Sequence, residues 1–156
     1  MSLFTSHKIY SEAELHARYE IMLENYCKVL RIEALTMLDM VSTDILPAVS
    51  DYTATLMKTG AEKRSLLGES YGGYEMKTAS RLAEVTDAAS MDASKLDEAL
   101  LQAGEEADAE LAAKFYQAVV FKDMTELRLT VDEMETLTSR ACWPYPSYGE
   151  LMFSVR

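Results

Sequence analysis

The chain has 156 residues, 49% of them hydrophobic and 26% charged, which suits one domain with a packed core and excludes a disordered tail. Acidic residues outnumber basic ones 26 to 15, for a net charge of −11, the wrong balance for meeting nucleic-acid phosphates or an anionic membrane surface. No apolar run approaches the ~20 residues of a membrane span, and the first residues lack the basic and apolar regions of a signal peptide. The chain therefore reads as cytoplasmic, with Cys27 and Cys142 as free, partly buried thiols in a reducing compartment.

Residues 1–10 read as a leader, with Met1-Ser2-Leu3 resembling a vector-supplied start, and residues 11–156 as a single helical-bundle domain. The first helix opens on a capping box. The Ser11 hydroxyl can accept from the Glu14 amide while the Glu14 carboxylate reaches back, and Tyr10 and Leu15 sit where a hydrophobic staple belongs. Apolar residues then recur at three- and four-residue steps through Leu15, Tyr19, Met22, Tyr26 and Leu30, and on through Met37, Val41, Ile45, Tyr52 and Leu56, with Ala34 and Ala48 keeping register. Pro47 removes an amide donor and its ring meets the Thr43 carbonyl, which predicts a kink near residues 43–47. Lys58 and Gly60 look like a C-terminus. A second apolar set, Leu23, Ile32, Leu35, Leu38 and Leu46, means that two faces of this helix need covering.

Residues 61–73 carry Gly68, Gly72 and Gly73 and read as a flexible connection. A second helix spans Tyr74 to about Ala103, with Met76, Leu82, Val85, Met91, Leu96 and Leu100 inward and Gly104 as the residue just past its end. The third opens with Glu105, Glu106 and Asp108, where the helix dipole favours anions. It follows a seam from Leu111, Phe115, Val119 and Val120 to Met124, Leu127, Val131, Met134 and Leu137, ending near Arg140. Pro144 and Pro146 then force an extended tail, Trp143 to Phe153, across the bundle. The fold class is all-α: an antiparallel up-down-up bundle of about three long helices with a proline- and aromatic-rich tail.

From Ser11-Glu12-Ala13-Glu14-Leu15-His16-Ala17-Arg18-Tyr19 through Ile32-Glu33-Ala34-Leu35-Thr36-Met37-Leu38-Asp39-Met40 to Ile45-Leu46-Pro47-Ala48, the first helix resembles the C-terminal region of type III glutamine synthetases. Met124, Leu127-Arg128, Asp132-Glu133-Met134-Glu135 and the closing Trp143-Pro144, Pro146, Tyr148 and Leu151-Met152-Phe153 match as well. The resemblance runs from about residue 5 to the end and is generic over 60–105. It implies a parent enzyme that makes glutamine from glutamate, ammonia and ATP with a divalent ion such as Mg²⁺, in a homo-oligomer of two stacked rings. It also implies that the nucleotide, metal and glutamate sites belong to an upstream catalytic domain, so no catalytic, cofactor-binding or metal residue carries over. One departure is Val120-Phe121-Lys122, where relatives are expected to carry a nearby proline; its loss would straighten the third helix.

The residues themselves offer few rivals. A di-metal bundle site needs Glu-x-x-His on two helices, whereas His16 follows Glu14 by two and Glu12 by four, and His7 lies in the leader. The acids Glu105, Glu106, Asp108 and Glu110 lack the glycine-turned cage of a calcium loop and read as a solvated helix start. Gly68 to Gly73 lacks the lysine ending of a phosphate loop. The expected function is thus a structural and oligomerisation domain, silent in catalysis by itself, whose partners are the parent's catalytic domain and neighbouring subunits. Its doubly apolar first helix should dock on other protein, and Trp143, Tyr145, Tyr148 and Phe153 should pack either on the bundle or on that body. The alternative is a free-standing helical interaction module.

Overall fold

Ser11 opens the longest element as its sequence predicts. Its backbone N–H donates to Glu14 Oε2 at 2.8 Å, and its hydroxyl accepts from the Glu14 N–H at 3.3 Å. This closes the capping box and starts α2 (Glu12–Asp39). Ahead of it, α1 (Ser2–Ser6) folds back: the Phe4 and Tyr10 rings lie 6.2 Å apart, and the Arg18 guanidinium sits 4.6 Å above the Tyr10 ring. Tyr10 is therefore occupied by a cation and a second ring. The computed structural model describes residues 2–7 and 9–153, and the side chains of Ser2 and Tyr148 are outside that description. The reading of Met1 as a supplied start, and the Tyr148 ring of the aromatic tail, lie outside the described residues.

Near the proline, the helix widens. Residues Met40–Ile45 form a π-turn, in which the Leu46 N–H reaches back five residues to the Val41 carbonyl. Pro47 cannot donate, and its ring opposes the Thr43 carbonyl. The Ser42 and Thr43 hydroxyls meanwhile donate to the Leu38 and Asp39 carbonyls, both at 2.7 Å, a back-bonding that also loosens a helix. The expected disturbance is thus found as one inserted wide turn beginning seven residues before the proline. α3 (Leu46–Leu67) then continues well past Gly60, and Gly68 (φ +107°) ends it instead. Gly60 is an interior residue: a Cβ there would lie 3.1–3.2 Å from Met76 and Glu75 side-chain atoms. Its smallness serves a helix crossing rather than a helix end.

The connection 68–72 is a tight turn, with the Tyr71 N–H donating to the Gly68 carbonyl at 3.1 Å. Gly72 adopts φ +77°, and a Cβ would meet the Gly60 carbonyl oxygen at 2.6 Å, so this position needs glycine twice over. The chain reverses into α4 (Gly73–Glu105). Glu75, buried near the turn, accepts from the Lys63 ammonium across it. Gly104 lies inside α4 rather than past it, and Glu106, in extended geometry, closes the helix. Asp108 caps the next one, accepting from the Glu110 and Leu111 amides at 2.9 Å each.

The third rod is α5 (Ala109–Phe115), a second π-turn (Tyr116–Val120) and α6 (Phe121–Leu137). The wide turn sits where the sequence reading expected straightness, and the Phe121 N–H bonds the Tyr116 carbonyl. α6 stops at Leu137, three residues before Arg140, because Thr138 turns extended (ψ 141°). After a short turn, Pro144 and Pro146 keep the chain out of helix, but Ser147 and Glu150 repeat the capping-box pattern, and α7 (Tyr148–Phe153) follows. The extended tail therefore ends at Ser147.

Rods α2–α3, α4 and α5–α6 run up, down and up, with no strand among the described residues. α3 packs along α4, α4 along α6, and α2 against α5. The core joins Val41, Ile45, Val49 and Leu56 from the first rod, Leu82, Val85, Leu96 and Leu100 from the second, and Tyr116, Val120, Leu127 and Met134 from the third. Arg81 clamps the second rod to the third through two hydrogen bonds to Glu133, at 2.7 and 3.0 Å.

Candidate interaction surface

Unequal rod lengths generate the feature that most needs an explanation. At ~1.5 Å per residue, Glu12–Leu67 extends for about 84 Å and Gly73–Glu105 for about 50 Å. The two are level at the 68–72 turn, so the excess falls at the beginning of α2. Its buried residues are Leu30 and Ala34, both in its last third. Residues that the spacing assigned to the inner seam are in the open: Met22 is 71% exposed, and Tyr19 and Tyr26 are also exposed. So are Met91 and Leu111 on the other rods.

On α2 the exposed apolar side chains gather on one flank. Ile21 (56%), Met22 (71%), Val29 (54%) and Ile32 (65%) project from it, with Leu35 on the adjoining edge. The second apolar set read from the sequence contains Ile32 and Leu35, whereas Ile21 and Val29 escaped it. Their spacing of eight residues, two helical turns, was the available signal. Leu23, Leu38 and Leu46 of that set are half-buried instead. The flank runs on into a groove of about 390 Å³ between the first and third rods, walled by Met37, Met40, Val41, Ile45, Leu127 and Val131, with Glu33 and Arg128 at its edges. The π-turn supplies Met40, Val41 and Ile45, so the wide turn forced near Pro47 shapes the groove wall.

The tail divides in two. Trp143 and Tyr145 are half-buried against the core, and the Tyr145 hydroxyl donates to Asp44 Oδ2 at 2.6 Å. That hydrogen bond to a carboxylate, with desolvation adding to it, pushes the Tyr145 pKa up to about 12. Leu151, Met152 and Phe153 of α7 face outward, Phe153 most of all at 82%. Burial raises the Cys27 thiol above its ordinary value, and burial followed by the neighbouring Tyr74 does the same for Tyr52.

The candidate ligand groups are dispersed. His16 Nδ1 faces Glu20 at 3.3 Å, Asp108 caps α5, Glu106 accepts from the Asp108 N–H, and Glu110 pairs with Lys114 at 2.7 Å. Among the described residues no three His, Cys, Asp or Glu side chains gather where a metal ion could sit. The glycine turn at 68–72 joins two helices, follows no strand and carries no lysine, so it lacks the features of a phosphate-binding loop.

A sheltered three-rod core beside an uncovered apolar flank defines an all-helical domain with one bare apolar face. Residues 1–64, through most of the first rod, match the family described as "Glutamine synthetase C-terminal domain". The whole chain is similar to a glutamine synthetase of Butyrivibrio fibrisolvens, at 36% identity, with all of this chain and 22% of the relative aligned. It is also similar to a type-3 glutamine synthetase of Dictyostelium discoideum, at 29% identity over 98% of this chain and 21% of that protein. The chain spans about a fifth of the length of these curated relatives. The likeness to the glutamine synthetase C-terminal domain family rests on residues 1–64, and the likeness to glutamine synthetases extends over the whole chain.

Proposed function

We propose that this domain serves a longer glutamate–ammonia ligase of the type-3 kind as a structural element, and that the ATP- and Mg²⁺-dependent chemistry takes place in the region preceding it. The observation that carries this reading is the alignment of the entire chain with a fifth of a glutamine synthetase, together with an apolar flank that its own bundle leaves bare. In the assembled enzyme the domain contributes subunit contacts within a homo-oligomer. A cytoplasmic setting agrees with this role, and no helix among the described residues is long and apolar enough to cross a membrane.

The test is enzymatic. The 156-residue chain and the full-length parent are assayed side by side for ATP- and ammonia-dependent glutamine formation. The parent should turn over and the isolated chain should remain at blank. Turnover by the isolated chain, or none by a correctly folded parent, would overturn the reading.

A further inference from the structure

We infer that the α2 flank bearing Ile21, Met22, Val29 and Ile32 is the seat on which the larger, preceding body of the same polypeptide docks, in preference to a second copy of this domain. The inference rests on the reading above in one respect: it takes a large body to precede the domain, in keeping with the family's description as a C-terminal domain and the 22% coverage of the relative.

Three observations select that occupant. The first is the entry point. The Phe4 ring lies tilted beside Tyr10, and Tyr10 lies beneath Arg18, so the entering chain is held against the first two turns of α2. A body joined upstream starts within reach of Tyr19, Ile21 and Met22, and its tether raises the local concentration to the millimolar range.

The second is area. The four projecting side chains present on the order of a few hundred Å², below the ~800 Å² per partner of a stable interface between free molecules. A tethered partner has already lost most of its translational freedom, so a patch of this size suffices for it. The third is charge. Each copy carries −11, and the cations on or beside the flank do little to offset repulsion between two identical domains, since Arg18 lies over the Tyr10 ring, Lys28 pairs with Glu24, and Arg128 shares the groove edge with Glu33. The flank presents anchors at offsets of one, eight and eleven residues from Ile21 and continues into the groove at Met40 and Val131. The surface it fits is therefore an apolar ridge or helix laid along α2.

Hydroxyl-radical footprinting read by mass spectrometry tests this with native residues. Met22 and Met91 are exposed to similar degrees in the domain, 71% and 64%, on different rods. In the full-length parent, Met22 oxidation should fall about tenfold relative to the isolated chain, and Met91 oxidation should change less than about twofold. Equal Met22 oxidation in both samples, with a parent that makes glutamine, overturns the docking inference and leaves the functional reading intact. Protection of Met22 in a parent that makes no glutamine supports docking and overturns the functional reading instead. Protection that disappears when subunits are diluted apart assigns the flank to a neighbouring copy, which also overturns the inference.

Discussion

The two halves of the first rod are written in the same helical code and end in different surroundings. α3, beginning at Leu46, lies in the cleft formed with α4, and Val49, Thr53, Leu56 and Gly60 are buried at intervals of three and four. α2 carries an equally regular pattern, yet of its 28 residues only Leu30 and Ala34 are buried. What separates them is the length of the neighbour. α4 and α5 reach no farther than the middle of α2, where Arg31 Nη1 donates to the Leu100 carbonyl at 3.5 Å and Ala103, Gly104 and Ala112 face Cys27 and Lys28 across a groove. Periodicity reports which face of a helix is apolar. Whether the covering surface belongs to the same domain is decided by how far the other rods extend.

Truncating the packed half of the molecule should break the fold, and that is the largest effect expected. Leu96 and Leu127 are fully buried on facing rods. Leu96→Ala or Leu127→Ala should each cost about 2–5 kcal/mol in urea unfolding, by lost transfer energy and the cavity left behind. A cost below about 1 kcal/mol would mean that the core is not formed where the rods meet. Next comes the turn that levels the rods. Gly72→Ala places a Cβ 2.6 Å from the Gly60 carbonyl at a positive φ and should cost about 1–3 kcal/mol. Gly73→Ala, with nothing within 4 Å, should be neutral within about 0.5 kcal/mol. If the two substitutions proved alike, the close approach of the 68–72 turn to α3 would be refuted. The third rod depends on its cap, and Asp108→Ala should lower stability by about 1 kcal/mol.

Much of this was legible beforehand, for local reasons. Ser11 with Glu14 marks a helix start through side-chain reach over three residues. Pro47 marks a disturbance because it lacks an N–H, and Pro144 with Pro146 marks the end of the helical rods. The inner seam of Leu82, Val85, Leu96 and Leu100 followed from spacing. The misreadings share one cause. Gly60 and Gly104 carry the signature of helix ends, but glycine serves equally where another chain comes close, as Met76 and Glu75 do at Gly60. Only the three-dimensional partner distinguishes the two uses. Met22 was placed in the inner seam because the pattern at 15, 19, 22 and 26 is flawless, and nothing in it records that the other rods stop short. The surface was half legible, since Ile32 and Leu35 stood out as a second apolar set. The Tyr145–Asp44 bond spans 101 positions of sequence, and no local rule reaches that far.

That bond offers a smaller, pH-dependent way to sharpen the contrast between the bound and the free parts of the tail. The Asp44 carboxylate raises the Tyr145 pKa to about 12 from an ordinary 10. A raised value means that the stabilisation is fully present below pH 10 and is lost as pH climbs towards 12. Trp143, the one tryptophan of the chain, lies two residues away and reports it. Its emission should shift over that interval in the wild type. In Tyr145→Phe the shift should be missing and the tail already looser at pH 7. An identical alkaline transition in both proteins would show that Tyr145 does not hold the tail.

The smallest effect is the most telling for the comparison. Met22→Ser and Ile32→Ser remove apolar side chains from α2 that are 71% and 65% exposed in the isolated domain, so little transfer energy is lost and no cavity forms. Each should change stability by less than about 0.5 kcal/mol, against several for Leu96 or Leu127, although all four belong to apolar positions of long amphipathic helices. Measured by the same urea unfolding, a cost of 2 kcal/mol or more (the range of a buried side chain) would mean that this flank is covered within the domain itself. A near-zero value means that these side chains contribute nothing to the fold that displays them, and their apolar character must then be accounted for by a surface outside it.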